Sequence, residues 1–398
     1  MAELYSLPDG WEWKKLGKIA KLQNGFAFKS KLFVNDGLPI VRIKNIKNEK
    51  VLLDDVVYFN VEDYGKKLDS YQIKKNDILI AMSGATTGKI GLYDTEEISY
   101  LNQRVGLFRI ENSNLRSYLF YFLSTQIEKN LELSLGAAQP NLSTEQINNI
   151  ELPFPPFEEQ KRIVAKLDIL FAKIDKAIAL HQKNIDEADI FIASVLNDVF
   201  VELEEKYEKI PLFDVADVNR GKSKHRPRND KKLFGGNYPF IQTGDVRNAN
   251  KYIDTFSETY SEFGLSQSKL WKKGTICMTI AANIGDVAIL NIDSCFPDSV
   301  VGIYSENNSN DFLYYFLLTL KQQLESQATT TAQMNINLKI LQTIGVPLPP
   351  LKTQQKVVSY LDEISNKMEK IKQIQKEKMQ SLKALKASIL DKAFKGEL

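Results

Sequence analysis

The chain contains one sequence twice. The stretch AAQPNLSTEQINNIELPFPPFEEQKRIV (137–164) returns as TAQMNINLKILQTIGVPLPPLKTQQKVV (331–358), with Pro153 aligned to Pro347. From Ala138/Ala332 to Val164/Val358, 9 of 27 positions are identical, where unrelated segments would share about two. The pairing extends upstream: YLFYFL (118–123) with FLYYFL (312–317), Val105-Gly106 with Val301-Gly302, LPIVRIKNI (38–46) with YPFIQTGDV (238–246), and IAKLQNG (19–25) with VADVNRG (215–221). A tandem duplication demands two copies of one fold. The offset drifts between 194 and 200, so the loops differ in length.

Each copy reads as a globular stretch followed by a long helical one. DILIAM, TICMTI, VGLFRI and VVGIYS look like strands, whereas 114–134 and 311–326 carry apolar residues at helical spacing. Beyond each proline pair the period changes. Ile163, Leu167, Leu170, Ile174, Ala177, His181, Ile185 and Ala188 recur three and four apart. Val357, Leu361, Ile364, Met368 and Ile371 do the same, resuming at Met379, Leu382, Leu385 and Ile389. These are heptad-like seams. Pro155-Pro156 and Pro349-Pro350 mark the helix starts, because proline is tolerated only in a first turn. A helix of about 45 residues runs roughly 65–70 Å at 1.5 Å per residue, and neither can bury its seam alone. The expected fold is therefore α+β: two mixed α/β domains at 1–155 and 207–350, in pseudo-symmetric tandem repeat, separated by long helices at 156–206 and 351–398 that form an antiparallel coiled coil.

Composition excludes several classes of function. With 43% hydrophobic and 26% charged residues the chain has the make-up of a soluble globular protein, and a net charge of +2 leaves any nucleic-acid affinity to local patches. Two cysteines, Cys277 and Cys295, exclude a disulfide framework and fit a reducing compartment, so a cytoplasmic location is expected. Two histidines and two distant thiols make no zinc site, and no acidic cluster has metal-ligand spacing. The N-terminus lacks the apolar core of a signal peptide, and apolar runs such as YLFYFL are too short to span a membrane. Neither a dinucleotide glycine fingerprint nor the Asn-Pro-Pro-aromatic tetrapeptide of methyltransferases occurs, so no catalytic residue is assigned.

One stretch, MSGATTGKIG (82–91), suggests a phosphate cradle. A nucleotide-binding P-loop requires G-x-x-x-x-G-K-[ST] between a strand and a helix. Here Gly84 and Gly88 enclose three residues, Ile90 follows Lys89, and the next segment reads as strand and turn. The second copy aligns Gly285 with Gly88 but places Asp286 at Lys89, a poor exchange for a phosphate-binding lysine. A P-loop-like nucleotidase is a minor alternative, and a coiled-coil scaffold that binds no DNA is another. The shared glycine is read as a turn between strands.

Basic residues gather in three loops. NRGKSKHRPRNDKK (219–232) holds seven Lys/Arg against one Asp, RIKNIKNEK (42–50) four against one Glu, and KLQNGFAFKSKLF (21–33) sets three lysines among Gln, Asn and aromatics. Lysine and arginine neutralise phosphates, while Arg and Asn/Gln also read base edges bidentately. A single such loop reads sooner as solvated surface; matching polar loops in both copies favour DNA recognition. The candidate DNA-binding residues are Gln23, Asn24, Lys29, Arg42, Lys44, Lys47, Thr86, Thr87, Lys89 and Arg104 in the first copy. In the second they are Asn219, Arg220, Lys222, Lys224, His225, Arg226, Arg228, Gln242, Thr243, Arg247 and Asn283. Gln139/Asn141 and Gln333/Asn335 are weaker candidates, equally suited to turns, and His181 on the seam reads as a packed or partner-facing polar position.

LPDGWEWKKLGKIAKLQNG at the start, LPFPPFEEQKRIVAKLD and VPLPPLKTQQKVVSYLD at the hinges, and the closing ASILDKAFKGEL resemble the specificity subunit of type I restriction–modification systems over essentially the whole chain. The second hinge departs in lacking the paired acids Glu158-Glu159. The resemblance implies a non-catalytic subunit with two target-recognition domains, each reading one half of a bipartite, asymmetric site in double-stranded DNA. It further implies that the helices set the spacer and dock two modification (methyltransferase) subunits, with restriction (translocase–endonuclease) subunits joining the complex. S-adenosylmethionine, ATP and Mg²⁺ would then belong to those partners and no cofactor to this chain.

Overall fold

The computed structural model describes residues 5–64, 66–134, 141–281, 284–329 and 336–398. The chain condenses into two units, one built from Met1–His181 with Glu377–Leu398, the other from Gln182–Lys376.

Both units are organised around a sheet of one topology. In the first the strand order is Leu22–Asn24, Val105–Phe108, Ile78–Ala81, Ile90–Leu92, Glu49–Val51 and Ile46–Lys47. In the second it is Asp217–Arg220, Val300–Tyr304, Ile276–Thr279, Val287–Leu290 and Tyr252–Ile253. Neighbours pair antiparallel, except that Glu49–Val51 and Tyr252–Ile253 each run parallel to the strand after the glycine turn. The central strands Ile78–Ala81 and Ile276–Thr279 are apolar throughout because both faces are covered. Side-chain alternation then sorts them. Ile78 and Ile80 join Tyr118 and Phe122 of the helix Ser113–Thr125, while Leu79 and Ala81 face Val41 and Leu101. Likewise Ile276 and Met278 join Phe312 and Phe316 of the helix Asn310–Thr319, and Cys277 faces Trp271 and Phe296. Strand Glu12–Lys15 pairs with Glu151–Phe154, and Lys209–Pro211 with Gly345–Pro347, returning the start of each copy to its hinge. At the periphery the copies differ. The first adds a four-stranded sheet (Val57–Phe59, Leu38–Val41, Ser99–Leu101, Gln72–Ile73), the second a bulged pair, Phe234–Phe240 with Glu258–Tyr260.

The helices expected at 114–134 and 311–326 form, each broken at the equivalent residue, Gln126 or Leu320. There the amide bonds three residues back, to Leu123 O at 3.1 Å and Leu317 O at 3.2 Å, which tightens the last turn and ends it.

The long helices Phe157–Lys206 and Leu351–Lys395 begin immediately after the proline pairs. Gln160 and its counterpart Gln354 are both buried, and each Nε2 donates at 2.9 Å to the carbonyl of Pro155 or Pro349. That shared bond accounts for an identical glutamine in both copies. From each short helix a tyrosine reaches the long one: Tyr121 donates to Asp168 and Tyr315 to Asp362, both at 2.5 Å. Burial, reinforced by the carboxylate, pushes both phenols up. The helices run antiparallel. In the first unit Arg162 bonds the Leu398 carbonyl at 2.9 Å and Lys386 meets Asp175 at 3.4 Å. In the second Asn184 meets Gln375 at 3.5 Å and Lys372 meets Asp189 at 2.9 Å.

The seam carries Ile163, Leu167, Ile174, Ile185, Ala188 and Leu361 inward, as their period requires. Two expected members depart from it: Ile371 is 38% exposed and Leu385 48%. Their neighbours Lys372 and Lys386 lie against the partner helix instead, stems covered and ammonium groups on Asp189 and Asp175. The polar run Gln373–Lys378, with Ile374 as its one apolar residue, breaks the heptad here, so the inward face slips by one residue.

Candidate nucleic-acid interface

In the first unit the chain leaves strand Ile78–Ala81, makes one 3₁₀ turn at Gly84–Thr86, passes through Gly88 at φ 84° and enters strand Ile90–Leu92. A strand therefore follows Lys89 where a P-loop needs a helix, which overturns that alternative. Gly285 makes the same turn at φ 80°. Thr87 is 2% exposed and its hydroxyl donates to Gly84 O at 2.7 Å, so it shapes the turn from within. Lys89 is exposed. Its counterpart Asp286 is ion-paired with Lys321 at 2.6 Å.

Beside this turn lies the segment 42–47. A Cβ placed on Gly84 would sit 3.2 Å from Ile43 Cδ1, so the two loops are in contact. Buried atoms without a hydrogen-bond partner collect here: Arg42 Nε, Ser83 Oγ and Thr86 Oγ1. Lys44 is paired with Asp55, whose carboxyl it holds below the usual range by hydrogen bond and charge, and Lys47 is exposed. Elsewhere Gln23 donates through Nε2 to Ser70 O, and Asn24 Oδ1 accepts from Thr144 at 3.0 Å. Lys29 and Arg104 are exposed, their amides tied to Tyr64 OH at 2.8 Å and Asn102 Oδ1 at 3.3 Å. Gly25 and Gly221 mark one close approach in both units, since a Cβ would meet Asn102 O at 2.1 Å or Pro297 O at 2.2 Å.

The basic loop of the second unit is ordered from inside. His225 Nε2 pairs with Asp230 at 2.8 Å and its ring meets Phe263 edge-on at 5.2 Å. The Lys232 amide and the His225 ring hold the Asp230 carboxyl low. Arg226 donates to the carbonyls of Ser223 (2.7 Å) and His225 (2.8 Å), and Arg220 to that of Ile336 (3.3 Å). Lys222 and Lys224 are exposed side chains on a backbone bonded to Phe296 O and Gln267 O. Asn219, on its strand, and Arg247, in the last turn of Thr243–Asn248, are exposed. Arg228 Nη2 contacts both oxygens of Asp298 at 2.9 and 2.8 Å, and Gln242 Nε2 donates to Glu258 at 3.2 Å. Arg228, Gln242 and Thr243 come together around a cavity of about 700 Å³ whose wall includes the stacked rings of Phe240 and Tyr260, 4.0 Å apart. Asn283, Gln139, Gln333 and Asn335 lie outside the described residues; Asn141 forms a bridge with Ser83.

Sequence reasoning missed the acids that hold these side chains: Asp55 on Lys44, Glu258 on Gln242 and Asp298 on Arg228. Arg228 and Asp298 are 70 residues apart, so no local pattern could join them. Among the described residues no group of His, Cys, Asp or Glu could hold a metal ion, and no helix is long and apolar enough to cross a membrane.

Comparison with known proteins agrees with this architecture. The type I restriction modification DNA specificity domain matches twice, over residues 8–188 and 204–378. The chain is 27% identical to the putative type I restriction enzyme MjaX specificity subunit of Methanocaldococcus jannaschii, covering 96% of this chain and 92% of that protein. It is 25% identical to the EcoBI specificity subunit of Escherichia coli, covering 99% and 88%. A chain from a solved structure addressing complex assembly and conformational transition of the type I R-M system superposes with a TM-score of 0.74 at 23% identity, covering 99% of this chain and 100% of the other, and so shares the fold. Two copies of one sheet, two long helices and a double family match lead to one assignment: the chain belongs to the type I restriction–modification DNA specificity family.

Proposed function

We propose that each unit reads one half of a bipartite, asymmetric DNA site, and that the two long helices passing from one unit into the other fix the number of bases between the halves. The observation that carries this reading is one sheet topology bearing unlike side chains at equivalent loop positions: exposed Lys89 against ion-paired Asp286, and a seven-cation loop in the second unit. A shared scaffold with unlike loops suits two unlike half-sites. The helices also carry exposed apolar residues, including Ile169, Leu180, Ile190 and Phe191, which favours their docking two modification subunits, with restriction subunits joining through them. S-adenosylmethionine, ATP and Mg²⁺ then serve those partners, and this chain supplies the address.

The test is methylome sequencing of cells expressing the chain with its modification subunit. A single bipartite, asymmetric motif is expected, lost when the chain is omitted. Methylation without such a motif would sink the reading.

A further inference from the structure

Arg42 and Gln242 occupy one position in the two units. Each follows a peripheral strand, Leu38–Val41 or Phe234–Phe240, and stands at the N-terminal end of a short helical turn. In each the backbone is fixed the same way, by a side chain three residues on. The amide of Arg42 donates to Asn45 Oδ1 at 2.9 Å, and that of Gln242 to Asp245 Oδ2 at 2.7 Å. Two copies that have diverged over most of their loops have kept this clamp and changed what it presents.

We infer that residue 42/242 is the base-reading position of each unit, with Arg42 contacting a guanine in one half-site and Gln242 an adenine in the other. This rests on the DNA-reading function proposed above. The pairing follows from donor geometry: Arg meets guanine O6/N7 bidentately, whereas Gln accepts from adenine N6 and donates to N7. The surroundings suit reading edges rather than phosphates. Among the described residues the Arg42 guanidinium has no hydrogen-bond partner, although Nε is buried beside the Gly84 turn and Asp55 is taken by Lys44. Gln242 gives one Nε2 hydrogen to Glu258, which fixes the amide plane and leaves the second hydrogen and Oε1 to a ligand. Arg228 and Lys231 line the same cavity, but the carboxylate in direct contact with Gln242 is that of Glu258, which favours an adenine edge over a phosphate at this side chain. Glu258 is thus a positioning residue for Gln242.

The experiment is motif determination by methylome sequencing for the full chain with its modification subunit, comparing wild type with Arg42→Gln, Arg42→Lys and Gln242→Arg. Arg42→Gln is expected to replace or relax one guanine in one half-site, and Gln242→Arg one adenine in the other, with discrimination at that base falling roughly ten- to hundredfold. In every variant the untouched half must still be required, which certifies a folded protein. Arg42→Lys keeps the charge and loses the fork, so it too should relax that guanine. An unchanged motif in all three variants overturns the inference, as does a uniform fall in methylation with no change of sequence, the signature of a phosphate contact. If the wild type itself specifies no bipartite motif, the functional reading fails instead.

Discussion

Lys251 illustrates how one residue can individualise a repeated fold. Counted from the glycine turns along paired strands, Lys251 and Glu49 hold the same place, opposite Ala288 and Gly91, with opposite charge. Lys251, its side chain 15% exposed, lies 2.8 Å from Asp311 and 2.6 Å from Asp362 of the long helix. Burial alone would raise the Asp311 carboxyl, but hydrogen bonds from Lys251 and Tyr252 outweigh it and hold the group below the usual range. Stability from a depressed carboxylate is present above its unfolded pKa, near 4, and is lost as pH falls through the lower folded value. Lys251→Met should therefore cost about 1–3 kcal/mol at pH 7, allowing for partial exposure of both acids. Urea unfolding at pH 7 and pH 3 checks this. The gap from wild type should shrink in acid; an equal gap at both pH values would assign the loss to packing of the stem.

At the scale of elements, the equivalent turns have unequal surroundings. Alanine at Gly88 would have to adopt φ 84° with its Cβ 2.8 Å from the Ile127 carbonyl, whereas at Gly285 (φ 80°) the nearest atoms are Lys321 Cγ at 3.2 Å and Cα at 3.3 Å, tight contacts that a shift of a few tenths of an ångström relieves. Gly88→Ala should cost about 2–3 kcal/mol and Gly285→Ala about 1 kcal/mol. Thermal melts of the two variants should rank them in that order, and the reverse order would refute the steric account. Elements were legible in the sequence where their cause is periodic or duplicated. The proline pairs, the buried seam from Ile163 to Ala188 and the apolar central strands all write their environment into local spacing. The seam failed at Ile371, where a polar run leaves no period to follow. The candidate interface was marked in the sequence only as charge. Which acid orients Arg228 or Gln242 depends on contacts between distant segments, although Asn45 and Asp245, aligned in the repeat, already mark the shared clamp.

For the whole molecule, the division into units does not follow the division into copies. The first core takes Leu390, Ala393 and Phe394 from the far end of the second long helix, with Phe394 set edge-on against Tyr118 at 5.3 Å and Phe122 at 5.4 Å. The second unit is continuous from Gln182 to Lys376. Ending the chain at Lys376 should thus uncover the first core and spare the second. Hydrogen exchange would show this as lost protection around Leu119 and Leu167 with protection kept around Phe316 and Leu361. Equal loss in both would mean that the units fold as one.

The same discontinuity bears on synthesis. A ribosome finishes residues 182–376 before it makes Leu390, Ala393 and Phe394, so the second unit can close while the first still lacks part of its core. The first unit, although its synthesis begins earlier, is thus the later of the two to have its whole core available.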